Sequence, residues 1–240
     1  MPTAVVDRDA LFERLGRAYS DAEFDELCFQ FGVELDDALP DAATGRVQYH
    51  VAIPANRTDL LCLEGLARAL QCFLGLAAPP VYAVLPPRGG GAPLVMHVKA
   101  ATAAVRPYVV CAVLRGVTFD QARYDRFIDL QDKLHHNIAR RRTLVAIGTH
   151  DLDTVAGPFS YEARPPRDIE FVPLCQSKPF TGDALVEFYR TDPSVKHIKP
   201  YVDIIAHRCV VVRAAAAGRG GGCFLEPVSC SAMPGAAPHI

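Results

Sequence analysis

A chain of 240 residues, half of them hydrophobic and 22% charged, has the composition of a globular protein and can bury one large core or two small ones. Its formal net charge of −2 excludes an overall positive field that would attract nucleic acid non-specifically, but leaves a local basic surface open. Its apolar stretches are too short to span a bilayer, and the early acidic residues Asp7 and Asp9 are unlike a signal peptide. We therefore expect a cytoplasmic protein without a membrane partner.

Two helices are predicted at the start of the chain. The first covers Asp9–Leu15 and ends at Gly16. The second begins with a capping box, in which Ser20 is the N-cap and Glu23 is the third helical residue. Apolar residues then recur at i, i+3, i+4 and i+7 until Gly32 ends the helix.

A strand and a third helix follow. Apolar and polar residues alternate over Val47–Ile53, which predicts a strand with one buried face that ends at Pro54. Thr58 or Asp59 is expected to cap the next helix, whose broad apolar face extends to Leu74.

The segment from Ala77 to Pro93 contains five prolines and three consecutive glycines, which predicts a domain boundary. The expected organisation is a first domain at 1–80, a linker at 81–93 and a second domain at 94–206. The predicted elements of the second domain are strands at 94–99, 107–119 and 143–148, a helix at 120–142, weaker strands at 160–163 and 169–172, a helix from Thr181 to Tyr189 and another from Asp192. This irregular mixture predicts an α+β fold.

The last 34 residues, 207–240, show no sustained period of either kind and are rich in alanine, glycine and proline. We expect a disordered tail without a packed core. One hypothesis is that this segment is translated from an intron or out of frame, and the alternative is a natural disordered tail.

A polar cluster of His150, Asp151 and Asp153 follows the predicted strand at 143–148 and resembles an acid–base site at the end of a strand. The alternative is structural: one aspartate caps a turn, and the histidine is a solvated loop residue.

Arg140, Arg141 and Arg142 are predicted at the C-terminal end of the long helix. There the three cations either offset the helix dipole or bind RNA phosphates. The neighbouring pair His135 and His136 cannot bind one metal ion from the same helix face, so one is expected at the edge of the core and the other in solvent.

Eight cysteines without a Cys-x-x-Cys spacing do not predict a metal site, and no glycine-rich segment has the pattern of a phosphate-binding loop. Asn56–Asp59 is interpreted as a helix entry in which Arg57 ties the turn to an acidic neighbour.

Several strings, taken in order over residues 1 to about 206, resemble the archaeal and eukaryotic (cytosolic) phenylalanyl-tRNA synthetase β-subunit family. They are Met1–Thr3, Leu15–Arg17, Glu23–Cys28, Phe31–Asp36, Pro54–Arg68, Arg106–Tyr108, Tyr124–Phe127, Leu144–Asp153 and Gly157–Phe159. No single segment identifies the family, but the occurrence of all of them in the same order is specific to it. After Ile205 the sequence departs from the family, so the resemblance transfers no catalytic residue.

The resemblance implies a B1-like domain at 1–80 and the first part of a B3/B4-like editing domain at 94–206. In this family the enzyme is an α2β2 ligase, its α subunit holds ATP and magnesium, and its β subunit contributes tRNA contact and editing. The implied partners are the α subunit and tRNA rather than DNA, with no cofactor in this chain. The chain alone is expected to be catalytically silent. The alternatives are a free-standing tRNA-editing hydrolase and a non-enzymatic module that binds RNA or protein.

Overall fold

The computed structural model describes residues 2–173, 176–193, 199, 202, 210–216 and 222–226. The chain forms two compact units: Met1–Val84 with Arg123–Ile138, and Leu85–Ala122 with the described residues from Ala139 onward. Within these ranges, none of the helices combines the length and the apolar character that crossing a membrane requires.

A three-stranded antiparallel sheet and four helices form the first unit. Its elements are β1 (Thr3–Asp7), α1 (Arg8–Leu15), α2 (Asp21–Phe31), β2 (Glu34–Pro40), β3 (Val47–Ala52), α3 (Leu63–Phe73) and α4 (Gln121–His136). The central strand is β3, with β1 and β2 on either side. Tyr49 and Val51 in this strand, and Ile53 directly after it, are fully buried, as the sequence predicts.

Aromatic side chains lie at the centre of the core of this unit. The rings of Phe24 and Tyr49 stack with their centroids 4.8 Å apart, and Phe12 packs edge-on against both. The buried Tyr49 hydroxyl donates a hydrogen bond of 2.6 Å to Asp21 Oδ1 on α2, so its polar end is satisfied.

The helix ends follow local sequence rules with one exception. The predicted capping box of α2 is present: the Glu23 amide donates to Ser20 Oγ and the Ser20 amide donates to the Glu23 carboxylate. The predicted cap of α3 is wrong, because Thr58 and Asp59 lie in a short 3-10 helix. Cys62 is the N-cap instead, and its Sγ accepts from an amide in the first turn at 3.4 Å.

Helix α4 belongs to the first unit, although the sequence-based boundaries place it in the second domain. Its Leu130 packs against the first core, and Lys133 Nζ donates to the Leu61 carbonyl at 3.4 Å. The buried residues of α4 are two polar ones, Gln131 and His135.

A four-stranded sheet organises the second unit. Its strands are β4 (Met96–Val98), β5 (Val155–Ala163), β8 (Val210–Ala216) and β9 (Gly222–Glu226), paired in that order. Strand β4 is parallel to β5, whereas β5–β8 and β8–β9 are antiparallel. A two-stranded sheet, β6 (Glu170–Phe171) and β7 (Phe180–Thr181), precedes α5 (Gly182–Thr191), which Thr181 caps as predicted.

Three predictions about the second unit are wrong. Residues 107–117 and 143–148 form no strand, and Tyr108 and Val110 are 90% and 95% exposed. Conversely, the segment expected to be a disordered tail contributes β8 and β9. A strand requires a hydrogen-bonding neighbour as well as β-forming residues, and only the tail segment has one. The helix predicted from Asp192 lies mostly outside the described residues.

Candidate functional site

The three candidate arginines lie beyond the long helix rather than in its last turn. Helix α4 ends at His136, and both the backbone and the side-chain amide of Asn137 donate to the Lys133 carbonyl, at 3.0 and 2.7 Å. The interpretation of the arginines as cations at the helix terminus is therefore wrong.

Arg140, Arg141 and Arg142 form a turn with left-handed backbone, at φ angles of 48°, 54° and 63°. Non-glycine residues rarely adopt this conformation, and three in succession are rarer still. We refer to residues 139–144 as the arginine turn. A conformation of this kind persists only where surrounding contacts enforce it.

Hydrogen bonds close the arginine turn from inside and outside. The amide of Thr143 and its hydroxyl both donate to the Arg140 carbonyl, at 3.2 and 2.6 Å, and the Leu144 amide donates to the Ala139 carbonyl at 3.2 Å. From outside the turn, Arg106 Nη2 donates to the Arg142 carbonyl at 3.2 Å. The turn is therefore anchored to a segment 36 residues earlier in the chain.

The turn separates the three arginine side chains. Arg142 is 9% exposed and Ala139 is 1% exposed, so both side chains are buried. Arg140 and Arg141 are exposed. Neither forms an ion pair with any residue that the structure describes. Two guanidinium groups are thus available to an anion in solution.

The polar loop His150–Asp153 shows the structural alternative for one aspartate. Asp151 caps the short 3-10 helix Leu152–Thr154 and accepts from the Asp153 amide at 3.0 Å. His150 is half-buried, and burial lowers the pKa of its imidazole. A neutral imidazole can accept a proton near neutral pH. These three residues lie in one loop, close together along the chain.

Other sequence candidates have structural roles. His135 is buried and His136 is exposed beside Asp132, as expected for a pair on different helix faces. Arg57 forms an ion pair of 2.9 Å with Asp59, which confirms the predicted tie within the turn. Among the described residues, no group of three or more His, Cys, Asp or Glu side chains is arranged to hold a metal ion.

Sequence reasoning missed the role of Arg106. It lies in a string that carries the family resemblance, but nothing in its local pattern indicates a hydrogen bond to the backbone of Arg142. Sequence reasoning also missed two salt bridges that share Glu64 in the first unit. Glu64 Oε1 accepts from Arg14 at 3.2 Å and from Arg126 at 3.1 Å. Both contacts join distant segments, so only the fold reveals them.

Comparison with known proteins gives a consistent result. Residues 1–76 match the family model of the Phe-tRNA synthetase beta subunit B1 domain. The chain is 55% identical over 210 residues to the cytoplasmic phenylalanine–tRNA ligase beta subunit of Arabidopsis thaliana, covering 82% of this chain and 35% of that protein. It is 48% identical over 222 residues to the human beta subunit, covering 87% and 37%.

A solved structure shares the fold. An N-terminal fragment of the phenylalanyl-tRNA synthetase beta subunit from Pyrococcus horikoshii superposes with a TM-score of 0.77 at 26% identity, covering 94% of this chain and 61% of the fragment. The chain spans about a third of the length of the curated relatives.

Proposed function

Because the chain belongs to the phenylalanine–tRNA ligase β-subunit family and corresponds to its N-terminal part, we propose that it acts within an ATP-dependent enzyme that attaches phenylalanine to its tRNA. The observation that carries this proposal is identity of 43–55% to eight β subunits over most of the chain. Family proteins of this similarity share a fold, but the activity belongs to the complete assembly.

The proposed contribution of this chain is tRNA contact and assembly rather than ligation. The partners are an α subunit, in an α2β2 arrangement, and tRNA, and the location is the cytoplasm. ATP and magnesium are assigned to the α subunit.

A chimera tests the family role directly. Residues 1–206 of this chain replace the corresponding region of the Arabidopsis thaliana β subunit, which is co-expressed with its α subunit. We expect the chimera to charge tRNA with phenylalanine, and a β subunit lacking that region serves as the control. A chimera that assembles with the α subunit but charges no better than the deletion would refute the proposal.

A second assay tests catalytic silence. The 240-residue chain is incubated with tRNA, phenylalanine, ATP and magnesium, with the complete enzyme as the positive control. No phenylalanyl-tRNA is expected, and measurable charging that persists after further purification would contradict the assignment of ligation to other parts of the assembly.

A second candidate function is the hydrolysis of mischarged tRNA, in which the half-buried His150 would act as the base. Asp151 and Asp153 would lie in the vicinity of such a pocket. Hydrolysis of tyrosyl-tRNA by the chain, abolished by His150→Ala but not by His136→Ala, would support this function. Equal rates in the wild type and His150→Ala would exclude a catalytic role for His150.

A further inference from the structure

The arginine turn combines an unfavourable backbone with an exposed charge. Left-handed φ angles are disfavoured for arginine, because its Cβ approaches the following carbonyl, whereas glycine adopts them without this cost. Arginine nevertheless occupies all three positions. Backbone strain of this kind often marks a functional segment, which makes the exposed arginines the feature to explain.

The segment of the sequence that contains the arginine turn has no acidic side chains. Between Asp132 and Asp151 the chain contains no aspartate or glutamate, while Lys133 and the three arginines supply positive charge. Arg140 and Arg141 are exposed and form no ion pair with the described residues. The chain segment that contains the turn is therefore locally basic, although the net charge of the whole chain is −2.

The turn is held in shape before any ligand arrives. Thr143 bonds the Arg140 carbonyl, Leu144 bonds the Ala139 carbonyl, and Arg106 bonds the Arg142 carbonyl. Two hydrogen-bonded positions within the turn and one bond from Arg106 reduce the ordering that binding would otherwise require. Guanidinium groups bind phosphate oxygens with paired, charge-assisted hydrogen bonds.

We propose that the arginine turn is a preformed phosphate-binding element for an RNA backbone, in which Arg140 and Arg141 contact phosphates and Arg106 is a positioning residue. The proposal rests on the proposed function, since it names the surface through which this part of the β subunit would contact tRNA. RNA is favoured over an acidic protein because the matched relatives are subunits of a tRNA ligase and because an RNA backbone offers successive phosphates to the two exposed arginines.

Glycine substitutions remove the charge of an arginine while preserving the backbone conformation of the turn. Arg140→Gly and Arg141→Gly remove one guanidinium each while keeping a residue that tolerates positive φ. Arg115→Gly is the matched control, because Arg115 is also an exposed arginine of the second unit, in an irregular segment. All variants are made in the 240-residue chain, and binding to fluorescein-labelled tRNA is followed by fluorescence anisotropy between 50 and 300 mM KCl.

Each turn variant is expected to weaken binding about fivefold at 0.15 M salt and to reduce the slope of log affinity against log salt by about 0.9, the effect of losing one phosphate contact. The melting temperature should stay equal or rise, because glycine relieves the backbone strain. Arg115→Gly should change neither slope nor melting temperature. Turn variants that bind like the wild type, or that lose affinity only in proportion to lost stability, would overturn the proposal.

Arg106 needs a different readout because it is not expected to touch RNA. Arg106→Ala removes the anchor of the turn, so affinity should fall while the salt slope stays at its wild-type value. Arg106→Lys, which can still donate to the Arg142 carbonyl, should restore part of the affinity. A reduced slope in Arg106→Ala would make Arg106 a phosphate contact and overturn its positioning role.

Two further outcomes separate this proposal from the proposed function. If the wild-type chain shows no salt-dependent tRNA binding, both tRNA contact by this chain and the arginine turn fail. If the wild type binds but the glycine variants bind equally well, only the turn fails. Competition by poly(glutamate) as strong as by unlabelled tRNA at equal charge would assign the turn to an acidic partner and overturn the RNA assignment.

Discussion

Gly65 lies where the chain enters helix α3, and replacing it with alanine tests the geometry of that entry. A Cβ built at Gly65 would lie 1.8 Å from the Asp59 carbonyl oxygen. The clash is with backbone rather than with the end of a flexible side chain, so rotamer changes do not relieve it. The Asp59 carbonyl must retreat by at least about 1.2 Å to restore a separation of 3.0 Å.

The direction of the change in stability distinguishes Gly65 from an ordinary helix position. Glycine-to-alanine changes inside helices normally stabilise by about 1 kcal/mol. Here the shift would disturb the fully buried Leu60 and Leu61, which follow Asp59 directly. Overpacking with a backbone displacement costs about 3 kcal/mol. For a unit of about 100 residues, this lowers the melting temperature by roughly 12–24 °C.

Urea unfolding followed by circular dichroism measures this loss, and hydrogen exchange in β3 assigns it to the first unit. Gly182→Ala is the graded control in the second unit, because its Cβ would lie 2.6 Å from the Pro166 carbonyl oxygen and requires a smaller shift. We expect about 1 kcal/mol there. A Gly65→Ala protein as stable as the wild type, or more stable, would refute the close approach of the Asp59 carbonyl.

Three further changes test other contacts. Glu64→Gln weakens the ion pairs with Arg14 and Arg126 and should lower the free energy of unfolding by about 1 kcal/mol at low salt, because all three side chains are partly exposed. Urea unfolding at 1 M NaCl should show a smaller loss, since salt screens the charges. Tyr49→Phe removes the hydrogen bond to a carboxylate and should cost about 2 kcal/mol by the same assay. Burial and that hydrogen bond raise the pKa of Tyr49 in the folded protein. Because the tyrosine of the unfolded chain ionises first, the stability of the wild type should fall as the pH rises above about 10. The Phe variant should lose part of this pH dependence. A chain ending at residue 206 should exchange the amides of β5 faster while β3 is unchanged, and equal protection of β5 would contradict its pairing with β8.

Local sequence rules predicted most of the first unit. The capping box at Ser20 and Glu23 and the alternation over β3 depend on residues a few positions apart, so they can be identified without knowing the fold. Strand β2 was missed, because three acidic residues at Glu34, Asp36 and Asp37 lower its β propensity. Its pairing with the central strand supplies the hydrogen bonds that override this preference.

The candidate site was predictable in composition but not in geometry. Three consecutive arginines identify a basic segment, and RNA binding by this segment stays a prediction. The left-handed backbone was not predictable, because arginine disfavours it and no glycine or aspartate marks the turn. Its anchor, Arg106, is 36 residues away, and the burial of Arg142 depends on tertiary packing.

Two valine-rich segments show why strand prediction failed in the second unit. Val109-Val110 and Val210-Val211-Val212 both favour extended structure. Val110 is 95% exposed, however, and the segment around it is irregular, whereas Val212 pairs with Tyr161 of β5. The backbone hydrogen bonds of a strand are made to another segment, so equal local propensity leads to different structures when only one segment has a neighbour. Accelerated exchange in β5 after removal of residues 207–240 would show that this pairing, rather than the propensity of either strand alone, stabilises the sheet.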